Sequence, residues 1–117
     1  MATEITNAGY QSLRDFVQAN WKFIELRNAG GTAVIRIGIG DARVTWIHQV
    51  DARTLELRIV VKGSDAGITL PTTFASSAIY LVSTGGTALA VESFSPFTME
   101  ATGDELTVIH QLEIPQI

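Results

Sequence analysis

The chain has 117 residues, 46% of them hydrophobic and 17% charged, with no cysteine and a formal net charge of −4. That length predicts one domain covering residues 1–117, able to bury roughly two-thirds of its unfolded surface without covalent staples. The composition excludes a disulfide framework and a cysteine zinc site. It argues against disorder. With acid in excess and Lys and Arg scattered, no nucleic-acid partner is expected.

The N-terminal residues Met1 to Ile5 carry no basic region followed by an apolar run, so no secretory signal is read there. No apolar stretch approaches the roughly 20 residues needed to span a bilayer, and no membrane partner is expected.

One segment reads as helix, near 7–19. Thr6 or Asn7 can accept from the first free backbone N–H groups. Tyr10, Leu13, Phe16 and Val17 follow at spacings of three and four as one apolar stripe. Gln11, Arg14, Asp15 and Gln18 fall on the other side, and Asn20 is a stop.

The rest reads as strand and turn. Trp21 to Leu26 gives a short strand with two usable faces, and Asn28 to Gly31 supplies hairpin residues. Ala33, Ile35, Ile37 and Ile39 mark a second strand, and Val44, Trp46, His48 and Val50 a third. Leu55, Leu57, Ile59 and Val61 against Glu56, Arg58 and Lys62 form the cleanest period-two pattern. After a turn at Gly63 to Gly67, Ile68 to Leu70 breaks at Pro71, and Thr72 to Ala75 reads as irregular. Ala78 to Val82 and Thr87 to Phe94 pair as a hairpin across Ser83 to Gly86, and Ser95-Pro96 interrupts. Leu106, Val108, His110, Leu112 and Ile114 alternate to the end. About seven or eight short strands between glycine-rich turns predict a mainly β fold, an antiparallel sandwich or partly open barrel with one N-terminal helix.

Chemistry-bearing patterns are sparse. Gly38-Ile-Gly40-Asp41 lacks the third glycine and the following helix of a dinucleotide fingerprint, so close backbone approach at a strand end explains its glycines better. His48 and His110 lie on the apolar faces of their strands with no third ligand at short spacing; no metal or other cofactor is expected. There is no Gly-x-Ser-x-Gly, and Asp104-Glu105 reads as solvated charge in a turn. Glu92 reads as the solvent face of an alternating strand. No enzyme is expected, for want of convergent polar groups. Trp21 and Trp46 read as core, or as platforms for a sugar in a carbohydrate-binding sandwich. Phe94, Pro96, Phe97 and Met99 belong to an apolar stretch broken by proline, either packed under the helix as core or left as a patch for a protein partner.

Ile5-Thr-Asn-Ala-Gly9 before a short helix, followed by Ile35-Arg-Ile-Gly-Ile-Gly-Asp41, resembles the N-terminal module of phage tail-collar fibre proteins. Ser77-Ala-Ile-Tyr-Leu-Val-Ser-Thr-Gly-Gly-Thr-Ala-Leu-Ala90 is similar to that family's later hairpin, and Glu105 to Ile114 to its closing strand. The resemblance implies a virion structural protein of the tail, baseplate or collar, assembled in the host cytoplasm. It would act as a connector or fibre-attachment subunit through contacts with other virion proteins and with copies of itself. A capsid decoration or cement protein is the alternative in the same class. Several strands are apolar on both faces (Val34 with Ile35, Ile59 with Val60, Val108 with Ile109), more apolar surface than a lone sandwich needs.

Overall fold

The computed structural model describes residues 4–49 and 52–114. One helix, α1 (Asn7–Asn20), precedes seven strands: β1 (Phe23–Asn28), β2 (Ala33–Gly38), β3 (Val44–Ile47), β4 (Thr54–Lys62), β5 (Thr72–Tyr80), β6 (Ala90–Met99) and β7 (Glu105–Glu113). They form two antiparallel sheets, one in the order β2-β1-β5-β6 and one in the order β3-β4-β7. The sheets face each other without closing into a barrel, which resolves the two architectures left open by the pattern.

Strand periodicity decides which side chains meet between the sheets. On β4, Leu55, Leu57, Ile59 and Val61 are fully buried while Arg58 and Lys62, of the opposite parity, are exposed. Opposite them, the four-stranded sheet contributes Ile24, Leu26, Ile37, Phe74, Ile79 and Met99 to the same core cluster. Burial of each such side chain contributes about 1.5–3 kcal/mol, so this alternation accounts for the sandwich.

Two stretches expected to break the sheet instead belong to it. Thr72 to Ala75 is the first half of β5, and β6 runs through Ser95 and Pro96. The pairing Phe74↔Phe97 is followed by Ser76↔Ser93, so the three residues Phe94 to Pro96 oppose the single residue Ala75. This bulge lies on an edge strand, where a proline without an N–H costs no ladder bond. Ile68 to Leu70 is not a strand. The Val50 end of the third strand and the Asp51 turn lie outside the described residues.

The helix bounds agree with the sequence reading to one residue, and Thr6 is the cap, its hydroxyl accepting from the Gly9 N–H at 3.3 Å. Its orientation differs from the expectation. Arg14, placed on the polar side, is 4% exposed, whereas Leu13 and Phe16 are 45% and 60% exposed. Of the expected stripe only Val17 is buried, with Tyr10 half-buried. A specific polar contact decides the rotation: the Arg14 guanidinium donates through Nη1 to the Ile114 carbonyl at the end of β7.

Two glycines mark close approaches. A side chain at Gly38 would meet the Phe23 ring at 2.7 Å, in keeping with the strand-end reading of the Gly38-Ile-Gly40 segment. At Gly63 the neighbour is the backbone, with a Cβ position 2.1 Å from the Ala101 carbonyl oxygen. The Gly63 N–H also donates to the Asp104 carbonyl, tying the β4–β5 connection to the β6–β7 turn.

Candidate functional site

Three polar constellations and two surfaces stand out. The first lies on the outer face of the four-stranded sheet, where register places Glu25 of β1 beside Arg36 of β2. Arg27, two residues along β1, shares that face because side chains alternate with period two. Glu25 is buried beneath them, with Oε2 2.8 Å from Arg27 Nε and Oε1 2.8 Å from Arg36 Nη2. Tyr80 of β5 completes the group: its hydroxyl accepts from Arg27 and donates to Glu25, and its ring lies 3.5 Å under the Arg36 guanidinium carbon. Burial alone would raise the Glu25 carboxyl above its ordinary value, but the hydrogen bonds and charges of Arg27 and Arg36 outweigh it and hold the group lowered. Arg36 Nη1 also donates to the carbonyls of Val82 and Gly85, so one side chain links β2 to the β5–β6 loop. Two cations against one carboxylate leave an excess positive charge here, on a chain of net charge −4.

The second constellation joins the sheets. Ser77 of β5 and His110 of β7, both buried, are linked at 2.8 Å between Oγ and Nδ1. Burial lowers the His110 pKa, and the charge of Glu92 partly opposes that shift. A serine, a histidine and a nearby carboxylate have the composition of a hydrolytic triad, yet Ser77 is wholly enclosed and Glu92 accepts from the Gln111 backbone N–H. The arrangement holds the sheets together with no room for a substrate. Glu92 therefore departs from the solvent-face reading: it shares the inner face with Ser77 and reaches across the sheet edge to β7.

The third constellation seats the helix. Gln11 Oε1 accepts from Arg14, and its amide nitrogen lies 2.7 Å from Asp15 Oδ1 and 3.4 Å from His48 Nε2. His48 and His110 thus serve different contacts, one at the helix and one between the sheets. Among the described residues no three His, Asp or Glu side chains converge as a ligand set. Trp46 donates from Nε1 to the Trp21 carbonyl at 3.0 Å, and both rings pack against the core cluster.

The apolar residues singled out in the sequence divide between core and surface. Met99 is fully buried; Phe94 and Phe97 are half-buried against the core, and Pro96 is exposed in the bulge. The larger exposed apolar side chains lie elsewhere: Ile5 just before the helix, Leu13 and Phe16 on it, Leu81, Val82, Leu89 and Val91 around the β5–β6 loop, and Ile47 and Ile109 on β3 and β7. Sequence periodicity missed the helical pair because it treats every apolar stripe as inward-facing.

A groove of about 590 Å³ follows the free edge of β2, lined by residues 35–40 together with Lys22, Phe23, Asp41, Arg43 and Ala66. Asp41 holds Arg43 at 2.8 Å and Arg43 reaches Asp65 at 3.0 Å, which fixes the turn between β2 and β3. The side-chain and backbone hydrogen bonds from Arg43 lower the Asp41 pKa to about 2.

No helix among the described residues is long and apolar enough to cross a membrane. Comparison with protein-family models, curated proteins and solved structures gave no match to this chain.

Proposed function

We propose that this protein is a structural subunit of a phage virion, in the tail, baseplate or collar, and that it works through protein–protein contacts as a connector or fibre-attachment element. The observation that carries the reading is the helix turned with Leu13 and Phe16 outward while Arg14 is buried. Neighbouring exposed apolar side chains on one helix face offer apolar surface for a partner to bury, as larger exposed apolar patches do at interaction sites. The exposed residues around the β5–β6 loop add a second such region. The polar groups that do converge, at Glu25 and at Ser77, are each satisfied within the fold.

Localisation tests this directly. With the chain tagged and virions purified and imaged, the label is expected at the tail or baseplate. Label on the capsid shell favours the decoration-protein alternative, and absence of the chain from particles defeats both.

A further inference from the structure

We propose that two copies of this chain pack through the outer face of the three-stranded sheet, about a two-fold axis that sets Arg58 of each copy over Glu56 of the other. Alternation turns Val60 of β4 and Ile109 of β7 outward, because Ile59, Val61 and Val108 beside them are buried. These strands carry apolar residues on both faces, and their outward members are surface that the sandwich core does not use. Ile47 of β3 joins them on the same face, and Ile47 and Ile109 are 37% and 42% exposed.

Charge selects the occupant. Register places Ile47, Glu56 and Gln111 abreast in one row, with Arg58 beside Ile109 in the next row on that face. Arg14, Arg27, Arg36, Arg43 and Arg53 each bond within the chain. Arg58 is exposed and makes no hydrogen bond or ion pair among the described residues. Glu56 accepts from the Gln111 amide through Oε2, which leaves Oε1 to accept from outside. An acidic partner would satisfy Arg58 and repel Glu56, and a basic one would do the reverse. A second copy satisfies both.

The same charges fix the orientation. The axis lies in the plane of the interface and crosses β4 at Leu57, so the two copies of β4 run antiparallel. Residues one step either side of Leu57 then exchange places, and both Arg58–Glu56 pairs form at once. An axis along β4 would instead set like charges over each other, which is destabilising. Stacked sheets lie about 10 Å apart and turned by about 30°. The two pairs are close enough to the axis for that turn to displace them little. Both copies of Ile109 flank the axis on one side and both copies of Ile47 on the other, so each loses apolar surface to its counterpart.

The test is sedimentation of the full chain over a wide range of concentrations. The chain should be half dimeric at a concentration on the order of 100 µM, in keeping with a face at the small end of specific interfaces. Arg58→Glu and Glu56→Arg should each weaken association by about tenfold or more, since each sets like charges opposite one another twice. Both positions lie on the surface, so both variants should melt with the parent chain. Mixed in equal amounts, the two variants should form a heterodimer as tight as the parent dimer, because both opposite-charge pairs are restored between chains. Failure of the mixture to associate overturns the inference. So does a chain that stays monomeric throughout; if Arg58→Glu then also bars incorporation into particles, the occupant is another virion protein. Dimers indifferent to Arg58→Glu, or lost in Leu13→Ser/Phe16→Ser instead, place the contact on another surface and likewise overturn it. The inference goes beyond the virion reading and is independent of it: a dimer formed by a chain absent from particles stands, and a monomeric chain found in the tail removes only the dimer.

Discussion

Ser77 Oγ and His110 Nδ1 meet at 2.8 Å between the two sheets, a polar bond enclosed by the aliphatic interior. Removing one partner leaves the other buried without a hydrogen bond. Ser77→Ala should therefore cost about 1–3 kcal/mol in urea unfolding. The double variant Ser77→Ala/His110→Leu should recover part of that loss, because no orphaned polar group remains.

The same pair makes stability depend on acidity. His110 is held neutral by burial, so its folded pKa lies below the unfolded value of 6.5. Its contribution is complete above 6.5 and is lost as pH falls from there through the folded pKa. Glu25, also lowered, adds a second loss that begins near its ordinary 4.5 and continues as pH falls through its own folded pKa. Melting temperatures measured from pH 8 to pH 3 should fall in two stages, and S77A/H110L should remove the upper one. A profile flat between 6.5 and 5 in the unmodified chain would count against the His110 assignment.

Glu25→Gln removes the charge that neutralises Arg27 and Arg36 and should destabilise by about 3 kcal/mol, the scale for breaking a buried pair. Arg36 also holds the Val82 and Gly85 carbonyls. The variant should therefore speed backbone hydrogen exchange in the β5–β6 loop, which a purely local defect would leave unchanged.

Arg14 and Phe16 occupy one helix yet should respond in opposite ways. Arg14→Met loses the bond to the Ile114 carbonyl and should cost about 1.5–3 kcal/mol, with faster exchange confined to α1. Leu13→Ser/Phe16→Ser alters exposed positions and should change stability by about 0.5 kcal/mol or less. On the proposed function, the same double change should abolish incorporation into particles. Unchanged incorporation would show that another surface makes the contact.

Gly63 and Gly40 separate a steric requirement from ordinary loop composition. Gly63→Ala drives a methyl into the Ala101 carbonyl, backbone against backbone, and should cost about 1–3 kcal/mol. At Gly40 nothing lies within 4 Å of the added carbon and φ is not positive, so Gly40→Ala should be neutral or stabilise by about 0.4–1 kcal/mol. Thermal melts of the two variants compare them directly.

Much of the fold was legible in the residues because period-two alternation is a local property. Leu55 to Lys62 declares both its strand and its buried face. The helix start was likewise legible at Thr6, since capping is decided within three residues. What escaped depends on contacts distant in sequence. Arg14 turns inward for a carbonyl 100 residues away, and no helical periodicity encodes that. Thr72 to Ala75 becomes strand because β1 and β6 flank it. Glu92 faces Ser77 rather than water through a pairing visible only once the edge strands are placed. The Glu25 group escaped for the same reason: Glu25, Arg27, Arg36 and Tyr80 are unremarkable in the chain and become one site through cross-strand register.

The bulge at Ser95 and Pro96 has a consequence for growth. Adding strands without limit requires a molecule able to grow at both flanks, and β6 is a poor template because Pro96 withholds an N–H and the bulge bends the ladder. Its neighbour β7 is tied to it through Glu92 and the Gln111 amide. At the other flank of that sheet β2 is short and interrupted by a bulge at Val34. Both flanks of the four-stranded sheet are therefore poor templates, so concentrated solutions should show no edge-to-edge growth through this sheet.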